Sequence, residues 1–203
     1  MTERILHDIC AGFSLRTPSF CRHWFHHHTL AYLYDGNMNL RNQCGEELGI
    51  KRGDCAFIGC DSYSSLYAEP DESGRCRVAF FSLTRRFLCE FYQTLDEAVR
   101  TSDREAPSAL HRIAVRPDVE SLFHSLSPYF LCGQALPEET ARLKMTEAAY
   151  LLLNNNQSYA TALFDFTSTC KMNMLDLLVE HNSTDFRWKE LERDYATNIN
   201  SLK

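Results

Sequence analysis

The segment LAYLYDGNMNL, residues 30–40, gives the clearest indication of the fold. Its apolar and aromatic positions alternate with other residues, as in strands that bury one face. These positions are Leu30, Tyr32, Tyr34, Met38 and Leu40. Between the two runs stands Asp35-Gly36, a pair typical of the two-residue type I′ turn. The segment therefore predicts a β-hairpin.

Turn signals continue after this segment, at Gly45, Gly53-Asp54, Asp61-Ser62 and in PDESGR, residues 70–75. The runs between them, such as CAFIGC and CRVAFFSL, have the length and composition of short strands. Turns at such short intervals predict an antiparallel sandwich or barrel. Because a closed barrel has no exposed edge strands, we expect an antiparallel β-barrel.

After Leu83 the apolar residues change from an alternating to a helical spacing. The segment TRRFLCEFYQTL predicts a helix capped by Thr84 or Ser82, and Pro117 and Pro137 are placed to begin two more helices. A strand-rich first half and a helical second half predict an α+β fold, in which the barrel is followed by a helical bundle.

The composition narrows the class of protein. The chain has 203 residues, a formal net charge of −6 and nine cysteines. Negative charge disfavours non-specific DNA binding, because that affinity comes from neutralising phosphates with Lys and Arg. The cysteines form no Cys-x-x-Cys pair, so we expect reduced thiols. The N-terminus lacks a signal-peptide pattern, and no apolar run approaches the ~20 residues of a membrane helix. We expect a cytoplasmic protein without a membrane span.

One pattern, the run HHH at residues 26–28, is typical of a metal site. In a strand only His26 and His28 would share a face, and Glu46 and Glu47 are the candidate carboxylates. No further histidine follows within the predicted barrel, and two histidines are too few for a good site. The chain also lacks a Gly-x-Ser-x-Gly elbow and a Gly-rich phosphate loop. We therefore predict no catalytic residues, no metal and no cofactor.

Aromatic residues are frequent in the predicted strands, where they could fill the barrel or line a pocket for one ligand. The candidates for lining such a pocket are Tyr32, Tyr34, Phe57 and Tyr67. The sequence is compatible with both a filled and a hollow barrel. A small-molecule effector is the ligand we expect in the hollow case.

The longest predicted helix spans residues 138–155, and its second half is apolar almost all round. Such a helix must contact another helix of the same chain or a partner. We expect a homodimer formed through it, with Leu143, Ala148, Leu151 and Leu152 at the contact. The alternative is that other predicted helices of the same subunit cover it completely.

The C-terminal segment, residues 170–203, contains three short helical patterns joined by polar links. This is the layout of a DNA-binding helix-turn-helix, and equally of a plain three-helix end to the bundle. As a helix-turn-helix it would be incomplete, because the third helix begins at Asn198 and the sequence stops inside it. The residues expected to face DNA are Asn198, Asn200, Ser201 and Lys203. We expect no specific DNA binding by this motif alone.

Several segments together resemble AraC-type transcriptional regulators, in a branch common among Bacteroides-like bacteria. They include LAYLYDGNMNL, KRGDCAFI, RRFLCEFYQTL, RPDVESLFHSLSPYF, ARLKMTEAAYLLLN and LFDFTSTCKMNMLDLL. The resemblance implies a cupin-like sensor barrel with its closing helix at residues 1–95, a helical dimerisation region at 96–169 and the helix-turn-helix at 170–203. The sequence of the helix-turn-helix segment departs from the family pattern at Glu192, where a small residue is usual, and at Ala196, where the turn glycine is usual.

The function implied by this resemblance is that of a non-enzymatic regulator. Its expected partners are a second copy of the chain, a small-molecule effector and, in a full-length form only, DNA. The alternative is a cupin-type metal-dependent enzyme or a small-molecule-binding protein. Metal analysis of the purified protein distinguishes the two.

Overall fold

The computed structural model of the chain describes residues 2–7, 10–100, 104–132 and 136–166. The chain forms two compact units, Met1–Asp165 and Phe166–Lys203, and of the second only Phe166 is among the described residues. The three-part division expected from the sequence, with boundaries after residues 95 and 169, stays a prediction.

Ten strands are present in the described part of the chain. They are β1 (Thr2–His7), β2 (Cys10–Leu15), β3 (Ser19–Phe25), β4 (His28–Asp35), β5 (Asn37–Asn42), β6 (Glu47–Lys51), β7 (Cys55–Ile58), β8 (Ser62–Glu69), β9 (Cys76–Leu83) and β10 (Leu110–Ile113). Sheet A has the order β1-β2-β9-β4-β7-β10, and sheet B has the order β3-β8-β5-β6. Every pairing is antiparallel, as predicted.

The eight strands β2 to β9 follow the strand order of a double-sheet jelly roll. The predicted closed barrel is wrong, because no described residue joins the edge strands β3 and β6 of sheet B to sheet A by a ladder. The ladder hydrogen bonds between strands run within each sheet, and the side chains between the facing surfaces pack the two sheets together.

The predicted hairpin at residues 30–40 is also wrong. Strand β4 pairs with β7 and β9, whereas β5 pairs with β6 and β8. Gly36, with a φ of +90°, carries the chain from one sheet to the other. The carboxylate of Asp35 forms an ion pair with Arg77 of β9 and is buried there. Asp35-Gly36 is therefore a corner at which the chain passes from sheet A to sheet B. The positive φ of Gly36 belongs to this crossover and not to a tight hairpin turn.

Side chains of both sheets meet in a mostly aliphatic core. Its most deeply buried members include Leu33, Met38, Leu40, Ile50 and Ile58. Phe25 and the partly buried Phe80 add aromatic rings to it. Facing sheets lie about 10 Å apart, which leaves room for one interdigitated layer of side chains.

Five helices are present among the described residues: α1 (Arg85–Thr94), α2 (Glu97–Arg100), α3 (Pro117–Cys132), α4 (Glu138–Asn155) and α5 (Tyr159–Leu163). The predicted helix starts are confirmed, since the Thr84 hydroxyl accepts from the Phe87 amide at 3.3 Å and α3 begins at Pro117. Helix α3 packs on α4 and, through Phe123, on sheet A, so the helices form a layer on that sheet. No helix in the described part of the chain is long and apolar enough to span a membrane.

Candidate functional site

The outer face of sheet A carries a layer of aromatic rings against helix α3, called here the aromatic layer. Alternation along β4 points every second side chain towards this face. The ring of Tyr32 stacks on Phe123, with centroids 4.6 Å apart and an interplanar angle of 8°. Tyr34 meets Tyr32 edge-on at 5.0 Å, and its hydroxyl donates to the Phe123 carbonyl oxygen at 2.5 Å. His124 lies edge-on to both tyrosines, at 6.3 and 6.2 Å.

The aromatic layer continues towards helix α5 around Phe57 of β7. Its ring lies 5.5 Å from His28, 5.2 Å from His111 and 5.2 Å from Tyr159. The Tyr159 hydroxyl and His111 Nε2 are 2.6 Å apart, and His111 Nδ1 is 2.6 Å from the Ser108 carbonyl oxygen. A carbonyl only accepts, so Nδ1 carries the proton and Nε2 accepts from the hydroxyl. Burial lowers the pKa of His111 and raises that of Tyr159, so both groups are held neutral.

Charged groups lie near the Tyr32 hydroxyl in the aromatic layer. Burial is the main cause that raises the pKa of the Tyr32 hydroxyl, followed by Glu120 and Cys55, whereas Arg52 acts in the opposite direction. Glu120 lies 3.5 Å from the ring of His124 on the same helix. No described carboxylate forms an ion pair with the exposed Arg52. Aromatic rings, the Tyr32 hydroxyl and a cation together suit a mostly apolar molecule with an acidic group.

Three of the four residues predicted to line a pocket are brought together by the structure. Tyr32, Tyr34 and Phe57 share the outer face of sheet A, outside the jelly roll and not in the interior of a barrel. Tyr67 lies apart from them on sheet B, where its hydroxyl donates to Glu69 at 2.9 Å. The three remain a candidate site, and Tyr67 belongs to a different surface.

Sequence reasoning missed His111, which lies on this face in β10, and the three residues that cover the face, Phe123, His124 and Tyr159. Alternation in the segment LHRI does place His111 and Leu110 on opposite faces of one strand, and Phe123 belongs to an apolar helical stripe. Local periodicity says that these side chains are buried, but it does not say which face of which sheet buries them. That information lies in long-range strand and helix contacts.

The histidine and carboxylate candidates for a metal site do not converge. His26 lies between β3 and β4 with its ring 6.2 Å from Trp24, whereas His28 stacks on Phe57. Glu46 accepts from Asn42 and Ser108, and Glu47 pairs with Arg41 at 3.3 Å. Within the described residues, no three His, Cys, Asp or Glu side chains are grouped so that they could hold a metal ion.

The four candidate dimer contacts differ in exposure. Ala148, Leu151 and Leu152 are buried within the chain itself, as the alternative of coverage by the same subunit expects. Leu143 is 69% exposed. Tyr150 is also exposed and lies seven residues further on, which is the same side of the helix. Leu143 and Tyr150 are therefore the apolar side chains that α4 presents to solvent.

The residues expected to face DNA lie outside the described part of the chain. Asn198, Asn200, Ser201 and Lys203 all belong to the last part of the second compact unit. Their role and the helix-turn-helix itself stay predictions.

Solved structures of similar fold share little sequence identity with this chain. ToxT from Vibrio cholerae strain SCE256, bound to an unsaturated fatty acid, has a TM-score of 0.58 and 12% identity, and the match covers 95% of this chain and 71% of ToxT. ToxT from Vibrio cholerae O395, bound to (E)-4-(8-methylnaphthalen-1-yl)but-3-enoic acid, has a TM-score of 0.57 and 12% identity, with coverage of 92% and 70%. At this identity the likeness shows the fold alone. No curated protein is significantly similar in sequence.

A match to a family model identifies the chain more specifically than these likenesses in fold do. The model of the ExsA N-terminal regulatory domain matches residues 28–164, which include strands β4 to β10 and all five helices described above. The match extends over more than half of the chain. The resemblance to AraC-type regulators is confirmed at this level, whereas the Bacteroides-like branch and the incomplete helix-turn-helix stay predictions. The chain belongs to the family of the ExsA N-terminal regulatory domain, which is a domain of AraC-type transcription regulators.

Proposed function

We propose that this chain is the effector-binding and dimerisation region of an AraC-type transcription regulator. The observation that carries the proposal is the family match over residues 28–164, which spans six of the eight jelly-roll strands and the helices that cover sheet A. A regulatory domain has to couple a ligand to a change in assembly or in an attached domain. The aromatic layer and helix α4 supply a candidate part for each of these two tasks.

The proposed effector is a mostly apolar carboxylic acid bound at the aromatic layer. Its carboxylate would lie near Arg52, which has no ion-pair partner among the described carboxylates. Its apolar part would enter beside Tyr32 and Phe123, and helix α3 would have to move to admit it, because both rings are buried. The neighbours in fold support this chemical class, because ToxT is bound to an unsaturated fatty acid in one structure and to a naphthalenyl butenoic acid in another. The Tyr34 bond to α3 would let such a ligand act on the position of that helix.

Titration calorimetry with oleate tests the effector class. We expect saturable binding to the full chain, and much weaker binding of oleyl alcohol, which lacks the carboxylate. Arg52→Gln should weaken oleate binding about tenfold, because a charge-assisted bond is lost. Arg41→Gln, an exposed arginine on sheet B, is the matched control and should bind as the wild type does. Equal binding of acid and alcohol, or no saturable binding of oleate, would contradict the proposal.

Dimerisation is proposed through the exposed side of α4, around Leu143 and Tyr150. Paired subunits would let a full-length regulator read paired half-sites on DNA. The DNA contacts themselves are proposed for the C-terminal unit.

A cupin-type metal-dependent enzyme is the weaker alternative. Cupins share the jelly-roll architecture, so the strand order is compatible with a cupin-like sensor domain and with an enzyme. The match to a regulatory domain favours the sensor.

A further inference from the structure

The outer face of sheet B presents aromatic side chains to solvent, and it is called here the aromatic face. Phe20 is 59% exposed, Trp24 45% and Tyr67 40%. Phe20 is directly opposite Tyr67, and Trp24 is directly opposite Tyr63 with ring centroids 5.9 Å apart. Exposed aromatic side chains that share one face of a sheet are a frequent mark of a binding surface.

The two aromatic pairs are separated by a polar row and flanked by a groove. Four residues along a strand span about 13 Å, so the pairs are about that far apart, and Arg22 stands between them. An open groove of about 360 Å³ lies beside Phe20 and Tyr67. Gly49 helps to keep it open, since a Cβ there would lie 2.9 Å from Asn39 Oδ1.

Size and charge limit what this face can bind. Four strands about 4.8 Å apart and about 23 Å long give on the order of 500 Å². A stable protein interface needs about 800 Å² from each partner, so a second copy of the chain would not be held by this face alone. The register puts three basic side chains, Arg22, Arg41 and Lys51, against two acidic ones, Glu47 and Glu69, on this face. That surplus is too small for a strand of nucleic acid, whose affinity depends on neutralising several phosphates.

We propose that the aromatic face binds a proline-rich segment of a partner protein, with an acidic residue between its prolines. Proline-rich segments form a polyproline II helix and dock on surfaces lined by aromatic rings. That helix rises about 3.1 Å per residue, so four residues span about 12 Å and reach from one aromatic pair to the other. The acidic residue of the segment then lies over Arg22.

The unpaired donors of the face fit the same partner. A polyproline II helix has no internal hydrogen bonds, so its carbonyl groups need donors from outside. The indole N–H of Trp24 is a donor without a hydrogen-bond acceptor among the described residues. Arg22 contacts the ring of Phe20, with its guanidinium 5.9 Å from the centroid, and forms no ion pair with a described carboxylate. An acidic, proline-rich segment would satisfy both groups.

The test uses the full chain and three labelled decapeptides measured by fluorescence anisotropy. One peptide is all proline except for a central glutamate, the second has lysine in that position, and the third replaces the prolines with glycine and serine. We expect saturable binding of the glutamate peptide, about tenfold weaker binding of the other two, and about a tenfold loss on Trp24→Ala. Val115→Ala, a similarly exposed apolar position outside sheet B, is the matched control and should leave the affinity unchanged.

A charge reversal at Arg22 distinguishes the loss of a surface contact from the loss of folding. Arg22→Glu should lose the glutamate peptide and gain the lysine peptide, a change that a misfolded variant does not produce. The proposal is overturned if the wild type shows no saturable binding up to about 1 mM, if the glycine-serine peptide binds equally, or if Trp24→Ala binds unchanged. It is also overturned if cellohexaose or an oligothymidylate, in place of the peptide, binds in a way that Trp24→Ala abolishes.

Discussion

At the level of single residues, the imidazole of His28 contacts three separate parts of the chain. Its Nδ1 accepts from the Cys60 amide at 3.2 Å, the backbone of Ala162 also hydrogen-bonds the ring, and the ring stacks on Phe57. A second proton would put an N–H group opposite the Cys60 N–H. Burial first, and then repulsion from His27, lowers the pKa of His28 from 6.5 to about 4.

This lowered pKa predicts a loss of stability in mild acid. Between pH 6.5 and about 4 the folded chain binds fewer protons at His28 than the unfolded chain does. The stabilisation is therefore fully present above pH 6.5, is lost as the pH falls through this window, and changes no further below about 4. His28→Gln keeps an acceptor for Cys60 but removes the titration. We expect it to reduce the fall in unfolding free energy across the window by about 2 kcal/mol, measured by urea unfolding at a series of pH values.

His124→Gln is the matched control, because that ring is exposed on helix α3. The unfolding free energy of His124→Gln should depend on pH as that of the wild type does. Some acid sensitivity should remain in His28→Gln, since burial and then His26 lower the pKa of His23 to about 4 as well. Parallel pH curves for the wild type and His28→Gln would rule out the role given to His28.

At the level of elements, the corner at Gly36 decides how the two sheets are connected. A type I′ hairpin needs positive φ at two successive residues, whereas here Gly36 alone has it and Asp35 is held by Arg77. The chain leaves sheet A at this corner and enters sheet B, which makes the jelly-roll order possible.

Gly36→Ala tests the tightness of this corner. An alanine Cβ would lie 2.6 Å from the Glu69 carbonyl oxygen and 2.8 Å from Cys76 Cβ, in addition to the unfavourable positive φ. We expect a loss of about 3 kcal/mol or more in the free energy of unfolding, from strain at φ and from overpacking. Gly74→Ala is the control, since it also has a positive φ of +70° but no heavy atom within 4 Å of the added Cβ. It should cost about 1 kcal/mol, and equal costs at the two positions would show that the corner is not tightly packed.

The sequence was informative about local structure and much less so about pairing. Thr84, Pro117 and Pro137 predicted helix starts correctly, because caps and prolines act within one turn of the backbone. Strand partners depend on residues far apart in sequence, so alternation alone led to a hairpin and a barrel that the chain does not form. For the same reason Tyr32 and Tyr67 were predicted in one pocket, although alternation also fits the observed positions on outer faces of different sheets.

At the level of the whole first unit, the two sheets present very different outer faces. Helices cover the outer face of sheet A and bury Tyr32 and Phe57 there, whereas the outer face of sheet B leaves Trp24 in solvent. Helix α4 exposes Leu143 although its C-terminal half is packed inside the subunit. The three proposed roles, in binding an effector, a partner segment and a second copy of the chain, therefore fall on different parts of the unit.

Sedimentation velocity of the full chain on the order of 10 µM tests the proposed assembly most directly. The subunit mass is 23.5 kDa, and we expect the wild type to sediment at twice that mass. Leu143→Glu should sediment as a single subunit, because a charge replaces the most exposed apolar side chain of α4. Val115→Glu, an exposed apolar position outside that helix, should remain a dimer. A wild-type chain at the mass of one subunit, or a Leu143→Glu variant that still dimerises, would contradict the account.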